Sequence, residues 1–246
     1  GGAYAVVGNV DLFADSNTMS IETWLLIDQI SEEWISIFTK WAQSAEDEYT
    51  LGLHSSGKLS FAWQNQGATA YGTPGWNHVL SDGTVPLGRW CHVALVRDGR
   101  SIRFYCDGNP IGGSDASDEQ PLRHGTAPVC IGSELGQRRF LQASLAELRV
   151  WRRALTQQEV SEHHQRPLAG DEPGLAALWR LDEGAGSIVR DATSGGHHGT
   201  LSGPVRWLAH GGPPRVVGPT RGLHFTGSQY IEFDDSNDLT MNPFSL

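Results

Sequence analysis

Short strand-like runs, each bounded by Gly, Asp, Asn or Pro, follow one another along most of the chain and limit its fold more than any other feature. The clearest pair is WCHVALVRDGRSIRFYCDG, residues 90–108, in which two apolar runs flank Asp98 and Gly99. An Asp-Gly step supplies the positive φ that a tight hairpin needs, so this stretch predicts two antiparallel strands. Similar runs predict an all-β protein; they lie at 19–27, 34–41, 49–54, 59–64, 129–131 and 145–151.

One segment departs from this pattern and predicts a short helix near residues 156–165. Thr156 and Glu159 have the spacing of a capping box, in which each side chain accepts a hydrogen bond from a backbone N–H at the helix start. Pro167 disfavours helical geometry in the residue before it, so the helix should end near Gln165. No other stretch of the sequence carries comparable helix signals.

The chain has 246 residues and a formal net charge of −10, and this charge bears on its partners. Nucleic-acid affinity comes mostly from Lys and Arg, so an acidic chain argues against nucleic acid and against an anionic membrane surface. No apolar run approaches the length of a spanning helix, so we expect no membrane insertion. Cys91, Cys106 and Cys130 lie in apolar contexts that favour buried thiols, and whether Cys91 and Cys106 pair stays open.

The two ends of the chain resemble each other at an offset of about 226 residues, from Tyr4 to Tyr230. Each copy reads as a strand, a turn containing Asp-Ser-Asn, and the start of a second strand. The second strand continues in the first copy, whereas the second copy stops at Leu246. Unpaired strand backbone is costly. The pattern therefore predicts a window cut from an array of similar units.

Four segments occur in an order that is specific even though each is degenerate alone. They are residues 90–108, 145–156 (LAELRVWRRALT), 178–201 (LWRLDEGAGSIVRDATSGGHHGTL) and 223–233 (LHFTGSQYIEF). Together they resemble the LamG-like jellyroll family of the concanavalin A-like lectin/glucanase superfamily. The resemblance implies an antiparallel β-sandwich jellyroll whose core lies between its two sheets, with the one short helix outside them.

The resemblance also suggests domain boundaries. In such proteins the segment containing LDEGAG and HHGTL commonly precedes the FTGSQYIEF strand of the same unit. We therefore expect a jellyroll body at 1–165, a linker at 166–176, and the opening segment and first strand of a second unit at 177–246. Two arrangements of the C-terminal part stay open, namely packing on the first unit or packing on a neighbouring copy.

Catalysis is not expected, although glucanases belong to the same superfamily. Those enzymes carry an E-x-D-x-(x)-E motif, in which alternating carboxylates reach one cleft at a separation of about 5 Å. The E-x-D pattern of this chain runs from Glu232 to Asp234, and Ser236 and Asn237 stand where the second Glu is needed. A polar turn at a strand end accounts for these residues, so a glycoside hydrolase is the weaker alternative.

Calcium is the one cofactor that the resemblance implies, because modules of this kind often hold one Ca²⁺ at the rim through loop carboxylates and carbonyl oxygens. Relatives often carry Asp at the positions of Thr226 and Ala146. The Glu that follows the second of these Asp residues is retained here as Glu147. A solvated turn is the alternative interpretation of each acidic residue. The candidate metal ligands are Glu147, Asp115, Asp118, Asp234 and Asp235.

Nine tryptophans are many for this length, and two of them flank a polar loop. Trp63 and Trp76 border residues 64–75, which are rich in Gly, Thr, Asn and Gln. Aromatic faces beside planar amides suit a sugar, since they stack on its ring and bind its hydroxyls. Asn77 and His78 could join such a site. These four residues are the candidate glycan ligands, and ordinary packing of a long loop on a sandwich is the alternative.

These observations favour a non-enzymatic extracellular adhesion or structural repeat module of a larger protein, secreted or at the cell surface. The strand at residues 230–233 could pair with the sheet edge of neighbouring copies, or the module could bind other extracellular proteins. A carbohydrate-binding, lectin-like module with a glycan partner is the alternative. Fold alone cannot choose between them, because function resides in the site.

Overall fold

The structure, a computed structural model, describes residues 2–13, 16–41, 48–65, 74–116, 119–208, 213–214 and 221–226. Strands dominate this part of the chain, and the helix α1 (Gln157–Gln165) follows the eleventh of them. In chain order the strands are β1 (Tyr4–Gly8), β2 (Thr18–Ile27), β3 (Trp34–Lys40), β4 (Tyr49–His54), β5 (Lys58–Gln64), β6 (Trp76–Thr84), β7 (Trp90–Asp98), β8 (Ser101–Cys106), β9 (Asn109–Asp115), β10 (Val129–Ile131), β11 (Gln142–Trp151), β12 (Leu175–Trp179), β13 (Ile188–Val189), β14 (Gly199–Ser202), β15 (Val205–Leu208) and β16 (Gly222–Thr226).

The strands form two antiparallel sheets that pack face to face. The first sheet has the order β13-β14-β1-β10-β3-β4-β5-β6. The second has the order β15-β16-β11-β2-β7-β8-β9, and β12 also pairs with β11. Buried apolar side chains from both sheets fill the space between them, among them Ile37, Phe61, Leu95 and Leu145. The predicted all-β antiparallel sandwich jellyroll with one short helix is thereby confirmed.

Two local predictions are borne out by the backbone. In the hairpin of β7 and β8, Asp98 pairs with Ser101, and Gly99 between them has φ +59°. At the start of α1, the Glu159 amide donates to the Thr156 hydroxyl at 3.2 Å, and the Thr156 amide donates to the Glu159 carboxylate at 2.8 Å. Turn chemistry and the capping box depend on neighbours in sequence, so they can be recognised without the fold.

The C-terminal strands contribute to both sheets. β14 pairs with β1 in the first sheet, while β12 and β16 pair with β11 in the second. β11 accommodates both partners because they occupy different halves of it: Gln142 to Leu145 pair with β16, and Leu148 to Trp151 pair with β12. Residues 230–246, which carry the duplicated strand, lie outside the described residues.

A buried charged network attaches α1 to the outer face of the second sheet. Glu22 on β2 accepts hydrogen bonds from His163 Nδ1 of the helix at 2.9 Å and from Trp151 Nε1 at 3.0 Å. Arg149 lies 3.5 Å and His92 3.4 Å from the same carboxylate. Burial raises the pKa of Glu22, but the His163 hydrogen bond and the Arg149 charge outweigh it and lower the pKa to about 2. Because these side chains are buried from solvent, the role of the network is to hold the helix on the sheet.

Candidate functional site

A cleft lies across strands β3 to β6 of the first sheet, on the face that points away from the core. Side chains alternate between the two faces of a strand. On β5, Leu59, Phe61 and Trp63 belong to the core, so Ser60 and Ala62 face outward. The cleft has a volume of about 250 Å³, and we call it the outer-face cleft. Its lining residues are Trp34, Trp41, Thr50, Ser60, Ala62, Trp76, His78 and Arg139.

A β-bulge in β3 brings two of these tryptophans to the same face. Trp34 and Trp41 are an odd number of positions apart in the sequence, which would place them on opposite faces of a regular strand. The pairing with β4 shifts between Ser36 and Phe38, so one extra residue on β3 resets the alternation. Both tryptophans therefore border the cleft.

Aromatic rings form one wall of the outer-face cleft. The Trp34 ring centroid lies 4.5 Å from that of His54 and 5.1 Å from that of His78, the second pair meeting edge to face at 70°. On the other side of His78, the Trp76 ring is 5.7 Å away. Trp34, Trp76 and His78 are partly exposed. The wall thus offers aromatic faces to a ligand while its rings hold one another in place.

Hydroxyl and imidazole groups lie at the floor of the cleft. Ser60 Oγ and His78 Nε2 are 2.9 Å apart, a hydrogen bond in which the tautomer of the imidazole sets the donor. Burial lowers the pKa of His78, and the nearby His54 and Arg139 lower it further. A neutral imidazole has one donor and one acceptor, so the floor can both donate to and accept from a ligand.

Arg139 is the charged residue among those that line the cleft. Its Nη1 donates to Glu134 Oε1 at 2.6 Å, and Arg138 Nη2 lies 2.8 Å from the other oxygen of the same carboxylate. The Arg139 carbonyl accepts a hydrogen bond from the Ser36 amide of β3 at 2.9 Å. The side chain is therefore held from two directions and is 29% exposed.

All four predicted glycan ligands line a cavity of about 620 Å³, and two of them also line the outer-face cleft. Trp76 and His78 line the outer-face cleft, and they face Gln64 and Ala62 of β5 in the register. Trp63 pairs with Asn77, and residues directly opposite each other share a face of the sheet. This second pair points toward the inside of the sandwich.

Trp63 packs in the core as well as lining that cavity. Its side chain is 0% exposed and stacks on Phe61 with a centroid separation of 4.9 Å. The Arg97 guanidinium lies 5.1 Å from its ring centre. Trp63 is thus a core residue. Asn77 is 6% exposed, and its amide donates to the Gly75 carbonyl at 3.2 Å, which places it outside the cleft as well.

Trp34, Trp41 and Arg139 were not among the residues predicted from sequence. A tryptophan at each end of the run WISIFTKW was the available signal, but the bulge that brings both to one face is not visible in the pattern. Arg139 follows a turn near β10 and reaches the cleft through contacts with β3, which sequence spacing does not reveal.

The predicted calcium ligands that the structure describes lie on different strands, Glu147 on β11 and Asp115 on β9. Glu147 is 1% exposed and forms a buried ion pair with Arg149, which leaves that carboxylate unsuited to a rim cation. Asp115 is exposed on β9 and lies 3.4 Å from Arg103. Asp118, Asp234 and Asp235 lie outside the described residues. In the described ranges, no group of three or more His, Cys, Asp or Glu side chains could hold a metal ion.

The three cysteines are free thiols in this structure. Cys91 and Cys106 lie close enough to hydrogen-bond, and this contact together with burial raises the pKa of Cys91. Within the part of the chain that is described, no helix has the length and apolarity needed to cross a membrane.

The chain is similar to known proteins in sequence and in fold. Residues 1–161 match the Laminin_G_3 family model of the concanavalin A-like lectin/glucanases superfamily. The chain is 27% identical over 168 residues to adhesion G-protein coupled receptor V1 from Danio rerio, an alignment that covers 63% of this chain and 3% of the receptor. The module thus corresponds to a small part of that relative.

A solved structure shows the same architecture at low sequence identity. A proposed carbohydrate-binding protein from Bacteroides ovatus superposes with a TM-score of 0.61 and 19% identity, covering 82% of this chain and 58% of that one. At this identity the likeness establishes the fold alone. Because the family model spans more than half of the residues, the chain belongs to the Laminin_G_3 family of the concanavalin A-like lectin/glucanases superfamily.

Proposed function

We propose that this module is a lectin-like, non-enzymatic binding domain that holds a glycan in the outer-face cleft. The observation that carries the proposal is the convergence of aromatic rings with hydroxyl and imidazole groups on one face of the first sheet. Pockets with mostly apolar walls and a few well-placed polar groups are the usual form of a small-ligand site.

The chemistry of the cleft suits a pyranose ring. One face of such a ring presents C–H groups, which stack on an aromatic surface, while its edge presents hydroxyls. Trp34 and Trp76 flank His78 at 5.1 and 5.7 Å, so a ring that stacks on either tryptophan has the imidazole within reach. Ser60 and Thr50 add hydroxyls that donate or accept.

The cleft is built on strands, and this favours binding. β3, β4, β5 and β6 are hydrogen-bonded neighbours in the order of the sheet, so their outward side chains keep a fixed spacing. A site held in its bound geometry loses little conformational entropy when the ligand arrives. The Ser36–Arg139 backbone hydrogen bond fixes the remaining wall in the same way.

The lining residues also support binding without catalysis. Glycoside hydrolysis needs two carboxyl groups on either side of the scissile bond. The residues that line the described cleft include no Asp or Glu. Glu134, the carboxylate that pairs with Arg139, is 2% exposed and bound by two arginines.

The proposal is tested by calorimetric titration of a panel of oligosaccharides into the parent chain and a Trp76→Ala variant. Loss of the stacking surface should weaken binding about tenfold, equivalent to ~1.4 kcal/mol. Trp207→Ala is the matched control, because Trp207 is also partly exposed but lies on β15 of the second sheet. No binding by the parent, or equal binding by parent and Trp76→Ala, would contradict the proposal.

Adhesion is the second candidate, favoured by the match to a segment of an adhesion receptor. On this proposal the module is secreted or at the cell surface, and its partners are extracellular proteins or neighbouring copies. Beads coated with the chain should cluster if copies bind one another, and dispersed beads would count against self-adhesion. Residues 230–233 lie outside the described residues, so strand exchange stays a prediction.

A further inference from the structure

Among the described residues that line the outer-face cleft, the charge has one sign. Arg139 is 29% exposed at its wall, and the other lining residues are aromatic, hydroxyl-bearing, apolar or imidazole side chains. Burial lowers the pKa of His78, with His54 and Arg139 adding to the effect, so this imidazole is neutral at neutral pH. The guanidinium is then the charge that a ligand in the cleft meets.

The ion pair behind Arg139 leaves that charge incompletely balanced. Glu134 is one carboxylate facing two guanidinium groups, Arg138 at 2.8 Å and Arg139 at 2.6 Å. The three side chains together carry a net charge of about +1 under the reference ionisation of these groups. An arginine has five N–H donors, and the contact with Glu134 engages Nη1. The fork can therefore serve a second anion.

The backbone holds Arg139 in an uncommon conformation. Its φ is +52°, in the left-handed region that non-glycine residues seldom occupy. Such residues cost about 1 kcal/mol or more, and they cluster at ligand-binding positions. The hydrogen bond from the Ser36 amide to the Arg139 carbonyl fixes this turn against β3, so the guanidinium is directed to the cleft wall.

We infer that the outer-face cleft selects a pyranose with one anionic group, a carboxylate or a sulfate ester, and that Arg139 binds this group while the tryptophans stack on the ring. This inference rests on the glycan-binding function proposed above. A guanidinium pairs with either anion through two parallel N–H···O bonds, which makes the contact directional.

The net charge of the chain limits the ligand further. At a formal charge of −10, the protein as a whole repels polyanions, and one exposed arginine does not reverse that field. A densely sulfated polymer is therefore disfavoured at low ionic strength. A glycan with a single acidic residue, set in an otherwise neutral chain, fits both the local positive charge and the global negative one.

The test compares matched neutral and acidic oligosaccharides by calorimetry: a galactose or glucose oligomer, its uronate counterpart and its monosulfated counterpart. The parent chain should bind at least one acidic form about tenfold more tightly than the neutral form, and the uronate and sulfate arms identify which anion is preferred. Arg139→Gln should reduce that preference to within about twofold, whereas Arg139→Lys should retain part of it because charge remains without the fork.

Arg138→Gln is the matched control, because it removes the other partner of Glu134 without altering a residue of the cleft. This variant should keep the larger part of the acidic preference, because the Arg139 fork stays in the cleft although Glu134 then balances its charge more fully. The near-UV circular dichroism of all variants reports whether the fold is intact. Raising the salt concentration from about 0.05 to about 0.5 M should weaken acidic binding more than neutral binding.

Two results would overturn the inference in different ways. Equal affinity of the parent and Arg139→Gln for neutral and acidic sugars would refute the anionic selectivity while leaving glycan binding in place. An equal loss in Arg138→Gln and Arg139→Gln would show that the effect arises from Glu134 and not from contact with the sugar. If no glycan of the panel binds the parent, the proposed function itself fails.

Discussion

Acid should destabilise this protein through His92, which is buried against the Glu22 carboxylate. Burial lowers the pKa of His92 from 6.5 to about 3, the attraction of Glu22 opposes this shift, and the Arg149 charge adds to it. The folded chain therefore keeps this imidazole neutral in a range where the unfolded chain protonates it. Stability is fully present above pH 6.5 and is lost as the pH falls toward 3.

The size of the effect follows from the width of that window. Each pH unit changes the free energy of unfolding by about 1.4 kcal/mol for one extra proton bound by the unfolded chain. Because the unfolded imidazole is half protonated at pH 6.5, His92 alone removes about 2 kcal/mol between pH 6.5 and 4.5. The pKa of Glu22 is lowered from 4.5 to about 2, so the stability that this carboxylate contributes is lost only below pH 4.5.

Urea denaturation, followed by tryptophan fluorescence between pH 8 and 4.5, measures this loss in the parent and in His92→Gln. The difference between the two chains cancels other titrating groups, such as His78 and His224, whose lowered pKa acts in the same direction. The parent should lose about 2 kcal/mol more than the variant between pH 6.5 and 4.5. Parallel behaviour is expected from pH 8 to 7. Equal losses in the acidic window would refute the assignment.

Three further predictions concern residues that do not line the outer-face cleft. Glu22→Gln leaves Arg149 buried with one fewer counter-charge, so the free energy of unfolding should fall by ~3 kcal/mol at neutral pH in urea titrations, and a loss under ~1 kcal/mol would contradict this. Thr156→Ala removes the capping box, which should lower stability by ~1 kcal/mol and the melting temperature by ~2–4 °C; an unchanged melting curve would disagree. Trp63→Phe should lower core stability by ~2 kcal/mol while leaving glycan affinity unchanged, and a binding loss like that of Trp76→Ala would return Trp63 to the site.

Much of the fold can be read from the sequence because its signals are local. An Asp-Gly step sets the hairpin of β7 and β8, and the pair Thr156 and Glu159 sets the start of α1. Alternation of apolar residues marks most strands. The order of strands within each sheet is a different matter, since it depends on contacts between residues far apart in the chain. The family resemblance predicts two antiparallel sheets but not the order of their strands.

For the same reason, only some of the residues of the outer-face cleft could be predicted from the sequence. Trp76 and His78 were found because they stand beside a polar loop, but Trp63 and Asn77 stand there too and face the opposite way. The register of β5 with β6 decides which pair faces outward, and it is not visible in the sequence. The bulge in β3, which brings Trp34 and Trp41 to the same face, cannot be seen in the sequence either.

Sugar binding in the outer-face cleft can be followed through the indole N–H resonances of the nine tryptophans in a two-dimensional NMR spectrum. Each resonance is assigned by a single Trp→Phe variant, and an acidic oligosaccharide is then titrated in. If the sugar binds in the cleft, the resonances of the indoles that line it should shift and those of indoles buried elsewhere should not. The expected responders are Trp34, Trp41 and Trp76, and the expected silent set is Trp63, Trp151 and Trp179. Shifts confined to other tryptophans, or no shift at saturating sugar, would contradict sugar binding in the cleft.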